Sequence, residues 1–154
     1  NLYYYYFAAK DNRFPEYKID LYMYIPVYKG RTPYKMGGLY AMTYYSGTWY
    51  DGVNAGKNAG SGWRLASMED YRKLVGWGGM SDYANWDNIS VRDLRTSSSY
   101  INAVFASSSG SKRHFSSNEK EGQGRTMDIG VGGTVGNYGY PNKSETNRYV
   151  LVHD

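Results

Sequence analysis

The chain has 154 residues, of which 41% are hydrophobic, 18% aromatic and 21% charged, with 19 Tyr, 19 Gly and no Cys. A formal charge of +4 and a mean hydropathy of −0.69, with no apolar run of bilayer length, exclude a membrane-crossing helix, and the aromatic content argues against disorder. Without cysteine there are no disulfides, thiolate metal sites, iron–sulfur clusters or cysteine nucleophiles; the length suits one domain spanning 1–154, its modest core completed by Tyr.

The basic residues are scattered. Their longest run, Lys112-Arg113-His114, is no Lys/Arg stripe, so no nucleic-acid partner is expected. The chain opens on Asn1 and lacks the basic start and apolar centre of a signal peptide. It is therefore expected to be processed, or to be the C-terminal part of a longer surface or fibre protein.

Most of the Tyr residues fall in the first 50 positions. Between 19 and 28, Ile19, Leu21, Met23, Ile25 and Val27 alternate with Asp20, Tyr22, Tyr24, Pro26 and Tyr28, which predicts a strand. Pro26 favours an edge or a strand end. Gly30–Gly38 reads as a loop and Leu39–Tyr45 as a strand, with turn signals at Ser46-Gly47 and Asp51-Gly52. The Gly- and Asn-rich stretch 52–62 also reads as a loop. A helix is predicted from Ser67, where Asp70 completes a capping box, Met68, Tyr71, Leu74 and Val75 form one apolar stripe, and Gly76 is the stop. A second, shorter helix is expected from Ser90, with Asp93 in its box and Val91 and Leu94 inward. Beyond Ser97 the chain reads as loop-rich, with strands expected at Tyr100–Ala106, at Met127–Val135 and, closing the chain, at Tyr149–His153.

Chemistry-bearing motifs are sparse. His114 and His153 are the only histidines; His153 reads as a strand-end polar residue and His114 as part of a solvated basic loop. Gly52–Asn58 resembles a phosphate loop but is one residue short before Gly56-Lys57, and Asn58 replaces the Ser or Thr that would hold magnesium. Gly130–Gly136 misses the dinucleotide pattern at its last position. Asn85-Trp86-Asp87-Asn88 offers one carboxylate, thin for calcium. No catalytic residue, metal site or cofactor is expected.

The stretch Gly62-Trp63-Arg64-Leu65-Ala66-Ser67, followed by Met68-Glu69-Asp70-Tyr71, Leu74 and Gly78-Gly79, resembles the Gly-Trp-Arg-Leu-Pro-Thr segment and following helix of the C-type-lectin-like superfamily. Its nearest branch is the Fibrobacter-type major paralogous domain; formylglycine-generating-enzyme-like domains and retroelement-diversified receptor-binding proteins share the fold. Residues 39–96 carry the resemblance. Tyr71 stands where the family usually has Trp, Ala66 where it usually has Pro, and 97–147 lacks the family's Trp-Ser-Ser stretch.

The resemblance implies an α+β, C-type-lectin-like fold with paired N- and C-terminal strands, one or two helices and a long loop-rich region that carries ligand contacts. Trp63 and Leu65 are expected to be buried, and the strand at Ile19–Tyr28 to lie beside Tyr149–His153. Tyr, Ser, Gly and Asn dominate the chain, a composition favoured in paratopes. The expected function is a non-catalytic binding module, an adhesin or receptor-binding tip on a bacterial surface or virion, recognising a glycan or cell-surface protein. The alternative is a structural subunit whose Tyr-rich first 50 residues pack against fibre neighbours or a second copy. Formylglycine-type catalysis needs paired cysteines, which are missing. The ligand face is expected from Trp86, Asp87, Asn88, Arg113, His114, Tyr138, Tyr140 and Asn142. In it Tyr138-Gly139-Tyr140 forms an aromatic platform with both rings on one side, and Arg113 and Asn142 supply hydrogen bonds.

Overall fold

The computed structural model describes residues 2–9, 21–28, 33–76, 100–106, 110–133 and 135–154, with the backbone alone at 2–9, 21–28, 133 and 136–138. These residues form a small α+β structure with three α-helices and three sheets. The second helix expected from Ser90 lies outside the described residues, as do Ile19 and Asp20.

β1 (Leu2–Ala9) and β2 (Leu21–Tyr28) pair antiparallel from Leu2↔Tyr28 to Ala9↔Leu21, forming a two-stranded ribbon. β3 (Tyr34–Met36) lies inside the stretch read as a loop and forms a hairpin with β4 (Leu39–Ala41), which opens the strand expected from Leu39. Its turn residues, Gly37 and Gly38, take φ of 58° and 78°, the left-handed pair that suits a tight hairpin. Gly37 is doubly required, because a Cβ there would run into the Lys73 carbonyl at the end of the second helix.

β4 pairs with the closing strand β11 (Leu151–His153), which pairs on its other side with β6 (Arg64–Leu65). An N-proximal and a C-proximal strand therefore share a sheet. The ladder neighbours of the closing strand are Leu39–Ala41 and Arg64–Leu65, while residues 21–28 pair with β1.

α1 (Trp49–Asn58) occupies most of the stretch read as a loop, after β5 (Tyr45–Gly47). Thr48 and Asp51 form a reciprocal capping box, with Thr48 N donating to Asp51 Oδ2 at 2.8 Å and Asp51 N to Thr48 Oγ1 at 3.1 Å. The glycines that suggested a loop serve close packing. A Cβ on Gly56 would sit 2.8 Å from Leu65 N, and one on Gly52 3.1 Å from Leu65 Cδ1.

α2 (Met68–Leu74) has the predicted Ser67–Asp70 box. Asp70 is buried and does more than cap: Oδ2 accepts from Ser67 N and Oγ, while Oδ1 accepts from Arg64 Nη2 at 2.9 Å. α3 (Ile101–Phe105) replaces the strand expected at 100–106. Ile101, Val104 and Phe105 are buried at helical spacing, a pattern too short to separate from a strand by periodicity.

The second half is less loop-rich than the sequence suggested. β7 (Lys112–Lys120) and β8 (Gln123–Ile129) form a long hairpin, closed by Glu121 and Gly122 at φ 50° and 78°. A 3₁₀ turn at Val131–Gly133 leads to β9 (Val135–Gly139), which pairs with β8. β10 (Asn147–Tyr149) runs parallel to β7 and antiparallel to β5, giving a mixed sheet of order β5-β10-β7-β8-β9.

The closing run, expected as one strand, is thus shared between two sheets and breaks at Val150. There the Val150 amide donates to Tyr71 Oη at 3.1 Å and the Val150 carbonyl accepts from Ala66 N at 3.0 Å. Tyr71, fully buried, donates in turn to the Phe115 carbonyl at 2.7 Å. Two apolar clusters flank this seam. One surrounds Tyr71, Leu74, Phe105, Met127 and Val150; the other joins Trp63, Leu65, Phe115, Tyr149 and Leu151.

Trp63 and Leu65 are buried as expected, 5% and 4% exposed. Trp63→Ala is expected to cost about 3–5 kcal/mol in chemical denaturation; a melting temperature within a degree or two of the parent would contradict this. Tyr71→Phe keeps the ring but strands the Phe115 carbonyl and the Val150 amide, so a loss of about 2–4 kcal/mol is expected with little change in shape.

Candidate functional site

Antiparallel register sets the rows of the β7–β8–β9 surface. Arg113, Asp128 and Asn137 lie side by side, as do His114, Met127 and Tyr138, and then Phe115, Thr126 and Gly139. Side chains alternate across a strand, so neighbours along it face opposite sides.

That alternation removes His114 from the ligand face. Lys112 and Arg113 are exposed, but His114 is fully buried rather than part of a solvated loop. Its ring packs edge-on against Phe105 and Tyr71, at centroid distances of 5.2 and 6.0 Å. Nδ1 lies 2.7 Å from the Lys112 carbonyl, so Nδ1 carries the proton and donates. Burial pushes its pKa down to about 3, with the Arg148 charge adding to the shift and the Lys112 carbonyl opposing it. His114 is a neutral core residue.

Arg113 stays on the surface, 53% exposed at its side chain, with Nε 3.9 Å from Asp128 Oδ1. Partial burial raises the Asp128 pKa, and Arg113 works against that rise. The Arg113 guanidinium passes over Gly139, where a Cβ would stand 4.0 Å from its Cζ.

Tyr140 follows Gly139 and so faces the opposite side of the sheet. Lys120 Nζ donates to its hydroxyl at 3.3 Å and lies 4.5 Å from the ring centroid; Arg125 Cζ lies 5.6 Å from the same centroid. Arg113 and Tyr140 therefore do not form one platform.

Asn142 is exposed, but its side-chain oxygen is committed locally, accepting from Ser144 N at 2.9 Å and Ser144 Oγ at 2.8 Å in an Asx turn that the Asn142 amide closes on Glu145. Tyr138 is placed on β9 by its backbone alone. Trp86, Asp87 and Asn88 lie outside the described residues.

Residues not anticipated gather at the hairpin tip. Lys120 and Arg125 flank Tyr140 on one side. Lys143 pairs with Glu119 at 2.8 Å and lies 4.2 Å from the Trp49 ring, whose Nε1 donates to the Ser116 carbonyl at 2.9 Å. The Glu121-Gly122 turn was the available signal: taken as a hairpin turn, it puts Lys120 opposite Gln123 and Arg125 two residues along the same face.

An open groove of about 260 Å³ between α1 and β6 is lined by Val53, Gly56, Lys57, Trp63, Arg64, Leu65 and Ser117, and holds none of the anticipated residues. Among the described residues, no group of three or more His, Asp or Glu side chains is placed to hold a metal ion. Nor is any described helix long and apolar enough to cross a membrane. Comparison with protein-family models, with curated proteins and with solved structures finds no match.

The buried His114 makes stability depend on pH. Its folded pKa, about 3, lies below the ordinary 6.5, so between these values the unfolded chain binds a proton that the folded chain does not. This contribution is fully present above pH 6.5 and is lost progressively as pH falls toward 3, with a slope of up to one proton. His114→Phe is expected to flatten the acid limb of the stability curve in urea titrations at a series of pH values. An unchanged limb would place the titration elsewhere.

Proposed function

We propose that this chain is a non-catalytic recognition module of C-type-lectin-like architecture, displayed on a bacterial surface or a phage fibre, and that its ligand is an acidic glycan. The observation that carries the reading is the β7–β8 tip, where the half-buried Tyr140 ring has the cationic groups of Lys120 and Arg125 within 4.5 and 5.6 Å of its centroid. An aromatic ring offers a sugar its apolar face, while adjacent cations meet carboxylate or sulfate groups through charge-assisted hydrogen bonds. An incoming acidic group draws Lys120 off the ring and opens that face. Placing the site beside a tight turn of a long hairpin follows the usual economy of binding loops carried by a packed scaffold.

The scaffold assignment is supported by the segment that carries the resemblance. Gly62-Trp63-Arg64-Leu65 ends in β6 beside the closing strand, and a capped helix follows with Tyr71 buried where the family usually has Trp. A second reading, a structural subunit, is favoured by the Tyr-rich β1–β2 ribbon.

The test compares binding to a panel of neutral and acidic oligosaccharides. The expected result is a preference for acidic members that weakens with salt. In the Tyr140→Ala variant, affinity is expected to fall about tenfold while the melting temperature moves little. Equal binding by parent and variant, or no binding to any acidic sugar, contradicts the assignment.

A further inference from the structure

Among the described strands, β1 and β2 are the two that ladder only with each other; all the rest sit in sheets of four or five. A lone two-stranded ribbon is marginal in water, and three or more strands are needed for independent stability. The two outer edges of this ribbon are not equivalent. β2 carries Pro26, which has no N–H to donate, whereas all eight residues of β1 have both a donor and an acceptor.

Edge strands that stay unpaired are usually guarded by Lys, Glu or Pro. β1 has none of these, in a chain that is 21% charged. The charge of this region is confined to the 10–20 connection, where Lys10, Arg13 and Lys18 balance Asp11, Glu16 and Asp20. A strand that pairs antiparallel with its own copy meets its own sequence reversed, so a charge near its centre would face its like. An uncharged strand escapes that repulsion even though the whole chain carries +4.

We propose that the outer edge of β1 pairs antiparallel with β1 of a second copy of this chain about a twofold axis, building one four-stranded sheet of order β2–β1–β1–β2 across the dimer. The edge spans about 26 Å, and a ribbon of that length buries far less than the ~800 Å² per partner of a standard interface. The dimer is therefore weak and concentration-dependent. It does not rest on the glycan-binding reading and uses none of its residues.

Sedimentation of the whole chain from micromolar to millimolar concentration tests the pairing. A monomer–dimer equilibrium is expected. Tyr5→Lys, which sets like charges near the centre of the paired strands, is expected to shift it to monomer. Tyr50→Lys adds the same charge at an exposed position of α1 and is expected to dimerise as the parent does. The absence of native cysteine allows a second, independent measurement. Of Tyr4→Cys, Tyr5→Cys and Tyr6→Cys, at least one is expected to cross-link into dimers on oxidation, and Met23→Cys on β2 is not. Three outcomes overturn the proposal: a parent chain that is monomeric throughout, a Tyr5→Lys chain that dimerises unchanged, or cross-linking through β2 as ready as through β1.

Discussion

The hydroxyl of Tyr71 holds the place where the closing run of the chain leaves one sheet and enters another. A strand that changes sheets must break its ladder, and at Val150 both backbone groups find partners outside it. The amide turns to Tyr71 Oη and the carbonyl accepts from Ala66 N. The same hydroxyl donates to the Phe115 carbonyl, so one oxygen ties α2, β7 and the seam between β10 and β11. Burial raises the Tyr71 pKa well above the ordinary phenol range, so the group stays neutral and able to donate.

The rest of α2 is arranged around keeping that ring in place. At its start, Asp70 caps Ser67 and receives Arg64, which also reaches Asp154 at 3.1 Å. At its end, the β3–β4 turn closes against the Lys73 carbonyl at a position that only glycine fits. β7, polar by composition, threads between the two apolar clusters, and this forces His114 to be neutral and inward while Arg113 beside it is out. Arg148 donates to the Phe105 carbonyl at 2.8 Å and stacks 3.9 Å above Tyr44, adding a positive charge that further disfavours protonated His114.

Two surfaces follow from this scaffold, and they are built differently. The hairpin tip presents side chains, Tyr140 with its two cations, on a ladder held by Trp49 and Lys143. The ribbon is a two-stranded ladder, and the eight residues of β1 carry no charge.

Local signals were legible wherever a short-range interaction decides the outcome. The Ser67–Asp70 box and the Gly76 stop were readable from spacing and residue type, because capping acts within one or two turns, and the buried Trp63 and Leu65 from the resemblance of the segment just before that helix. The stretch from Gly52 reads as a loop because of its glycines, and only the packing of Leu65 and Tyr149 against α1 explains why glycine belongs in that helix. β7 offered no alternation because its middle, His114 to Ser116, is buried on both faces while its ends are exposed, and α3 was too short to declare its period. Which strand pairs with the end of the chain, and that Arg113 and Tyr140 face opposite sides of one sheet, depend on register between segments far apart in sequence. No local pattern encodes that register; the tertiary ladder sets it.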